Sequence, residues 1–130
     1  MDHLKAIIVD DIRLIRTELK HMLSEYPEIK VVGEAANADQ ASQLVSDLKP
    51  DVVFLDIHLP GHSGFDFLSN FNVDFKVIFI SAFHNKYSKD AQKYKPVDFL
   101  MKPINKQKLS KAIQKLYDVC NLQEKSENNV

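Results

Sequence analysis

At 130 residues the chain has the length of one ordinary domain, long enough to bury a single substantial core. Hydrophobic residues make up 45% and charged residues 27%, which excludes a disordered composition, and no apolar run approaches the roughly 18 residues of a membrane span. The formal net charge of −1 is unevenly spread: residues 1–83 hold 7 Lys+Arg against 13 Asp+Glu, whereas residues 84–130 hold 10 against 5.

The start, "MDHLKAIIVDD", lacks the apolar stretch and cleavage site of a signal peptide. A lone cysteine, Cys120, has no partner for an internal disulfide, so a cytoplasmic, reducing location is expected, with Cys120 packing on a helix. The first predicted strand covers residues 4–9 and runs into Asp10 and Asp11. A helix over 12–26 follows, with Ile12, Ile15, Leu19, Met22, Leu23 and Tyr26 on one stripe and Pro27 closing it. The second strand, 29–36, ends without a comparable polar group. A helix over 38–48 carries Ala41, Leu44, Val45 and Leu48 and is closed by Pro50. The third strand, 51–56, ends in Asp56, and "DIHLPGHSG" follows. Gly61 and Gly64 behind Pro60 imply a shaped turn with backbone open to positive φ. A third helix opens after Gly64 with Phe65, Leu68 and Phe71 inward. The fourth strand, 75–81, ends in Ser81. The helix after it, near 86–94, has few apolar residues (Tyr87, Ala91, Tyr94) and is weakly anchored. The fifth strand, 97–101, ends in Lys102-Pro103, where proline stops the strand and invites a cis bond. A last helix over 105–120, capped by Asn105, shows Leu109, Ala112, Ile113, Leu116 and Cys120. The polar "NLQEKSENNV" reads as a tail or the start of a linker.

Alternating β and α elements predict a parallel sheet with right-handed crossovers and helices on both faces. The fold class expected is α/β: a flavodoxin-like (βα)5 three-layer sandwich with strand order 2-1-3-4-5. That order is borrowed from known doubly wound folds, and a chemotaxis response regulator is one of its standard examples. In such sheets ligands bind outside the carboxyl ends of the strands. Strands 1, 3, 4 and 5 are then contiguous, so Asp10, Asp11, Asp56, Ser81 and Lys102 converge.

Three carboxylates close together cannot all stay ionised without compensation, and one lysine leaves about −2. A divalent cation is the simple remedy. The ligand set is all oxygen, with neither Cys nor a suitable His pair to select zinc, so Mg²⁺ fits best. His58 and His62 lie four apart, but a side chain at 58 is expected to point outward. An Asp, a Mg²⁺ site, a hydroxyl and a lysine together describe a phosphoryl acceptor.

These residues resemble the receiver (CheY-like) domain of a two-component response regulator: Asp10-Asp11, Asp56 with Leu59-Pro60-Gly61 and Gly64, Ser81-Ala82, and Lys102-Pro103. The match covers about residues 4–120, giving one domain over 1–122 and a tail or linker over 123–130. The resemblance implies Asp56 as phosphoacceptor for a histidine kinase, Asp10 and Asp11 as the acidic pair organising Mg²⁺, and the backbone carbonyl of His58 as a further ligand. It implies Ser81 as the switch hydroxyl, Lys102 as the partner of the phosphoryl group, and Phe99 as the aromatic switch, although Phe99 also suits ordinary strand packing. The face of helix 4, strand 5 and helix 5 would carry the output to an effector domain, a downstream protein or a second copy. No direct nucleic-acid or membrane binding is expected of the domain, nor enzyme activity beyond its own phosphorylation and dephosphorylation. Phe83 and His58 fall where the family tunes dephosphorylation, and a bulky Phe83 predicts a persistent phospho-state.

Within the family, "FISAFHNKYSKDA" and "VDFLMKPI" resemble receivers coupled to LytTR-type DNA-binding domains. No such effector lies within the 130 residues. Two other readings stay open here. A haloacid-dehalogenase-type phosphohydrolase also phosphorylates an Asp after a buried strand, but wants a second Asp where His58 stands. A pseudo-receiver would act as an interaction module without phosphorylation. A flavodoxin-like cofactor binder lacks its Ser/Thr/Gly-rich phosphate loop after strand 1.

Overall fold

The computed structural model describes residues 3–82 and 89–120. Five strands, β1 (Leu4–Val9), β2 (Ile29–Ala35), β3 (Val52–Asp56), β4 (Lys76–Ser81) and β5 (Asp98–Met101), form one parallel sheet. Their order is β2-β1-β3-β4-β5, as expected for a flavodoxin-like chain. Ala6 to Val9 and Val52 to Leu55 are fully buried along their length, because both faces of the sheet are covered.

Helices α1 (Arg13–Leu23) and α5 (Lys106–Val119) cover one face. There Leu19, Leu23, Leu109, Ile113 and Leu116 pack on Ile8, Phe54, Ile78 and Ile80. Helices α2 (Ala38–Leu48), α3 (Gly64–Leu68) and α4 (Lys89–Lys93) accompany the other. Ala41, Val45, Phe67 and Leu68 pack there on Ile7, Val9, Val53, Leu55 and Phe79.

Local chemistry sets the helix ends. Asn37 accepts from Gln40 N–H at 2.8 Å to start α2, and Lys49 ends it in the left-handed region at φ 48° before Pro50. Asn105 caps α5 by accepting from Lys108 N–H at 2.8 Å. Ser63 and Asp66 form a reciprocal capping box on α3.

Two expectations need correction, and one stripe gains a residue. The first helix begins at Arg13 and ends at Leu23, and Ile12 is its N-cap, 47% exposed rather than part of the inward stripe. The helix after Gly64 has only five residues; Phe67 and Leu68 are its buried pair, while Phe65 and Phe71 pack from the margin. Tyr117 joins the buried stripe of α5 and donates its hydroxyl to Glu28 Oε1 at 3.0 Å. The fourth helix is described from Lys89, so Tyr87 and the lifetime expectation attached to Phe83 lie outside the described residues.

Candidate functional site

Parallel pairing brings four strand ends level. Val9 pairs with Leu55, Asp56 with Ile80 and Ser81 with Met101, so the next residues, Asp10 and Lys102, emerge beside Asp56 and Ser81. Among the described residues, Asp10, Asp56 and Ser81 are the buried polar ones, at 0%, 3% and 2% exposure. Asp11 is exposed at the rim. One carboxylate oxygen from each of Asp10, Asp11 and Asp56 lies within 4.8 Å of the others.

Lys102 enters this cluster from the end of β5. Its Nζ donates to Asp56 Oδ2 at 3.1 Å and lies 2.9 Å from Asp10 Oδ2. The approach to Asp10 falls outside hydrogen-bond alignment, so that buried oxygen meets the ammonium as an ion pair. The Lys102–Pro103 bond is cis, and Lys102 N–H donates to Ser81 O at 2.8 Å. Burial works against the Lys102 ammonium, but Asp10 and Asp56 outweigh it and raise its pKa.

Asp56 is held at both oxygens. Oδ1 accepts His58 N–H at 2.9 Å and Oδ2 faces Lys102. Burial, with the nearby Asp10 charge, pushes its pKa above the ordinary aspartate value despite the opposing pull of the His58 N–H and Lys102. Asp10 is equally constrained: its N–H donates to Ala35 O at 3.0 Å and its Oδ1 accepts Ile12 N–H at 2.9 Å.

The turn after β3 is a small antiparallel ribbon, His58–Leu59 against His62–Ser63, with Gly61 at φ 77° in the bend. His58 sits opposite Ser63 and His62 opposite Leu59, so the two histidines fall on opposite faces of the ribbon and share no ligand. Gly64 N–H donates to Ile57 O at 2.6 Å. A Cβ on Gly64 would stand 2.7 Å from the backbone oxygen of Asp56, so glycine lets α3 start against the strand end.

Phe99 is half-buried against Phe79, with ring centroids 5.4 Å apart. Phe79 meets Phe65 at 5.3 Å, and Phe65 stacks on Tyr94 at 6.3 Å. An aromatic line thus runs from β5 to the residue that follows α4.

The donor set fits a hard divalent cation: three carboxylates, all oxygen, one lysine, and a buried Asp10 Oδ2 without a hydrogen bond. A groove of about 610 Å³ lined by Pro50, Asp51, Phe75, Lys76 and Cys120 lies at the opposite end of the strands, away from these acids.

Residues 6–114 match the family model of the response regulator receiver domain. The chain belongs to the response regulator receiver family. It is 38% identical over 115 residues to an uncharacterized response regulatory protein of Vibrio cholerae, and 36% identical over 115 residues to the transcriptional regulatory protein BtsR of Salmonella typhi. Each match covers 87% of this chain and 48% of the relative, so the chain spans about half the length of these curated relatives. Among solved structures, the response regulatory domain of mrkE from Klebsiella pneumoniae superposes with a TM-score of 0.80 at 25% identity, covering 92% of this chain and all of that one. The signal receiver domain of a putative response regulator NarL from Mycobacterium tuberculosis gives 0.78 at 25% identity, covering 91% and 98%. The receiver is a signalling domain, and the phosphohydrolase reading gains no support from these likenesses. No helix among the described residues is long and apolar enough to cross a membrane.

The expected residues Asp10, Asp11, Asp56 and Lys102 meet in one pocket, with Ser81 ending the adjacent strand. Two residues that bear on it escaped the sequence reading. Arg16 donates from one guanidinium nitrogen to Asp10 O at 2.7 Å and from Nε to Glu34 Oε1 at 2.8 Å. Glu34 lies near the end of β2, the strand without a polar ending, so that strand reaches the site through Arg16. The residues are 18 positions apart and carry no motif.

Proposed function

We propose that this receiver takes a phosphoryl group on Asp56 from a histidine kinase and passes the change to an effector domain or downstream protein. The carrying observation is Asp56 itself, buried at a strand end with one oxygen on His58 N–H and the other on Lys102, beside two further carboxylates. In the transfer an Asp56 oxygen attacks phosphorus, the P–N bond of a phosphohistidine donor breaks, and the imidazole leaves with its electron pair. Lys102 meets the charge that builds on the transferring oxygens, and Ser81 turns its hydroxyl toward the product.

Asp10, Asp11 and Asp56, with the His58 carbonyl, would hold Mg²⁺, whose role when bound is to neutralise the phosphoryl oxygens. The intact acidic cluster argues against a pseudo-receiver. Phosphorylation then shifts a two-state balance in which Ser81 moves inward and Phe99 turns into the space it leaves. Near-complete switching requires about 5 kcal/mol of preference for one state. The face of α4, β5 and α5 carries the output, including pairing with a second copy. The nearly doubled length of the relatives supports an effector joined to such a domain.

Intact-mass measurement after incubation with a small phosphodonor tests the reading. Wild type with Mg²⁺ gains one phosphoryl group, Asp56→Asn gains none, and omission of Mg²⁺ slows the gain. Equal labelling of the Asp56→Asn protein overturns it.

A further inference from the structure

Asp10 faces two ways. Its carboxylate enters the acidic pocket, while its backbone carbonyl accepts the Arg16 guanidinium at 2.7 Å. Arg16 projects from α1 with its side chain only 14% exposed, and its Nε is fixed by Glu34 Oε1 at 2.8 Å. The other Glu34 oxygen takes Lys20 Nζ at 2.6 Å. Hydrogen bonds from Lys20 and then Arg16 hold the Glu34 carboxyl below its ordinary pKa, consistent with a permanently charged anchor. Glu34 is in register with Ile8 and Ala35 with Val9, so the anchor sits one strand away at the level of the loop it steadies. Asp10 N–H is tied to Ala35 O, Asp10 Oδ1 to Ile12 N–H, and Asp10 O to Arg16. With these three groups committed, Oδ2 is the atom left to face Lys102 and a cation.

We infer that Arg16 is a positioning residue for the cation site, locked by Glu34 and clamping the carbonyl of Asp10 so that Asp10 and Asp11 present their carboxylates toward Asp56. This rests on the Mg²⁺-dependent phosphoacceptor reading. Arg16 touches neither the cation nor the phosphoryl group; it acts through the main chain of Asp10. A planar fork can serve two acceptors at fixed angles, which an ammonium cannot.

Electrostatics and positioning predict opposite signs. Removing a positive charge near a divalent site strengthens cation binding by Coulomb's law, whereas releasing Asp10 weakens it. Mg²⁺ affinity is therefore measured by calorimetry on wild type, Arg16→Met, Arg16→Lys and the charge-balanced double variant Arg16→Met/Glu34→Gln. Amide exchange at Asp11 and Ile12 in the metal-free proteins is the second readout, and thermal melts confirm folding. Loss of an outer support of a metal ligand costs about 10–100-fold in affinity. Weakening of at least about tenfold is expected in Arg16→Met and in the double variant, with faster exchange at Asp11 and Ile12. Arg16→Lys remains weaker than wild type. Tighter binding in Arg16→Met, wild-type affinity in the double variant, or full recovery in Arg16→Lys overturns the clamp. Wild type that binds Mg²⁺ and labels at Asp56 while the variants bind equally sinks the clamp alone; wild type that does neither sinks the phosphoacceptor reading with it.

Discussion

Lys102 Nζ stands 2.9 Å from Asp10 Oδ2 in an ion pair that lacks hydrogen-bond alignment, and the same ammonium donates to Asp56 at 3.1 Å. One cation thus serves two buried carboxylates, whose residual charge is the physical reason for a cation site. The arrangement stabilises the metal-free fold and competes with metal for the same oxygens.

Replacing Lys102 by Met should therefore destabilise the metal-free protein near neutral pH. Two carboxylates are left without their partner, and breaking a buried pair costs about 3 kcal/mol. Mg²⁺ should still bind and restore part of that loss, since ligand binding to the folded state adds stability by mass action. Urea unfolding with and without Mg²⁺ checks both parts. Phosphorylation should be slower at saturating Mg²⁺.

Asp56 predicts a pH dependence of definite sign. Its folded pKa is raised above the ordinary 3.8, chiefly by burial, despite the attraction of Lys102. The associated stability is fully present below about pH 4 and is lost as pH rises through the folded pKa. Asp56→Asn cannot ionise, so without metal it should melt at a higher temperature than wild type at pH 7. The gap should close below about pH 4. Added Mg²⁺ should reverse the order by favouring wild type. Thermal melts across pH 3.5–8, a range from just below the ordinary aspartate value to about four units above it, decide it.

The two turn glycines should respond differently to alanine. At Gly64 the new Cβ meets the Asp56 backbone oxygen at 2.7 Å, and the first turn of α3 or the strand end must shift. Overpacking of this kind costs about 1–3 kcal/mol, and Mg²⁺ affinity should fall with it. Gly61→Ala meets open space but holds φ 77°, so its cost is backbone strain of about 1–2 kcal/mol. Its Mg²⁺ affinity should stay near wild type. Chemical denaturation and calorimetry separate the two.

The aromatic line predicts a route for the switch. Phe99 touches Phe79, Phe79 touches Phe65, and Phe65 stacks on Tyr94. Phe99→Leu should leave Asp56 phosphorylation near wild type and lose about 1 kcal/mol of stability from the aromatic contact. The change in the Tyr94 ring resonances on phosphorylation should be largely abolished. Nuclear magnetic resonance of Tyr94 before and after labelling tests this, and an undiminished shift would remove Phe99 from the route.

What the sequence determined by itself was the set of strand ends. Apolar runs closing in Asp10, Asp56, Ser81 and Lys102 were legible because a doubly covered parallel strand must be apolar throughout and can turn polar only where it leaves the sheet. The capping pattern Ser63-x-x-Asp66 is likewise a local signal, since both partners lie within one helical turn. Tertiary structure decided the rest. Helical spacing put Ile12 on the inward stripe, yet it is the exposed cap, and it left out Phe67, which is buried. Periodicity identifies a face but not where the helix begins or what stands opposite. Lys102 finds Asp56 across 46 residues, and Arg16 joins Glu34 to Asp10 across neighbouring elements. Those meetings depend on strand register and helix placement, which arise only when the layers close on one another.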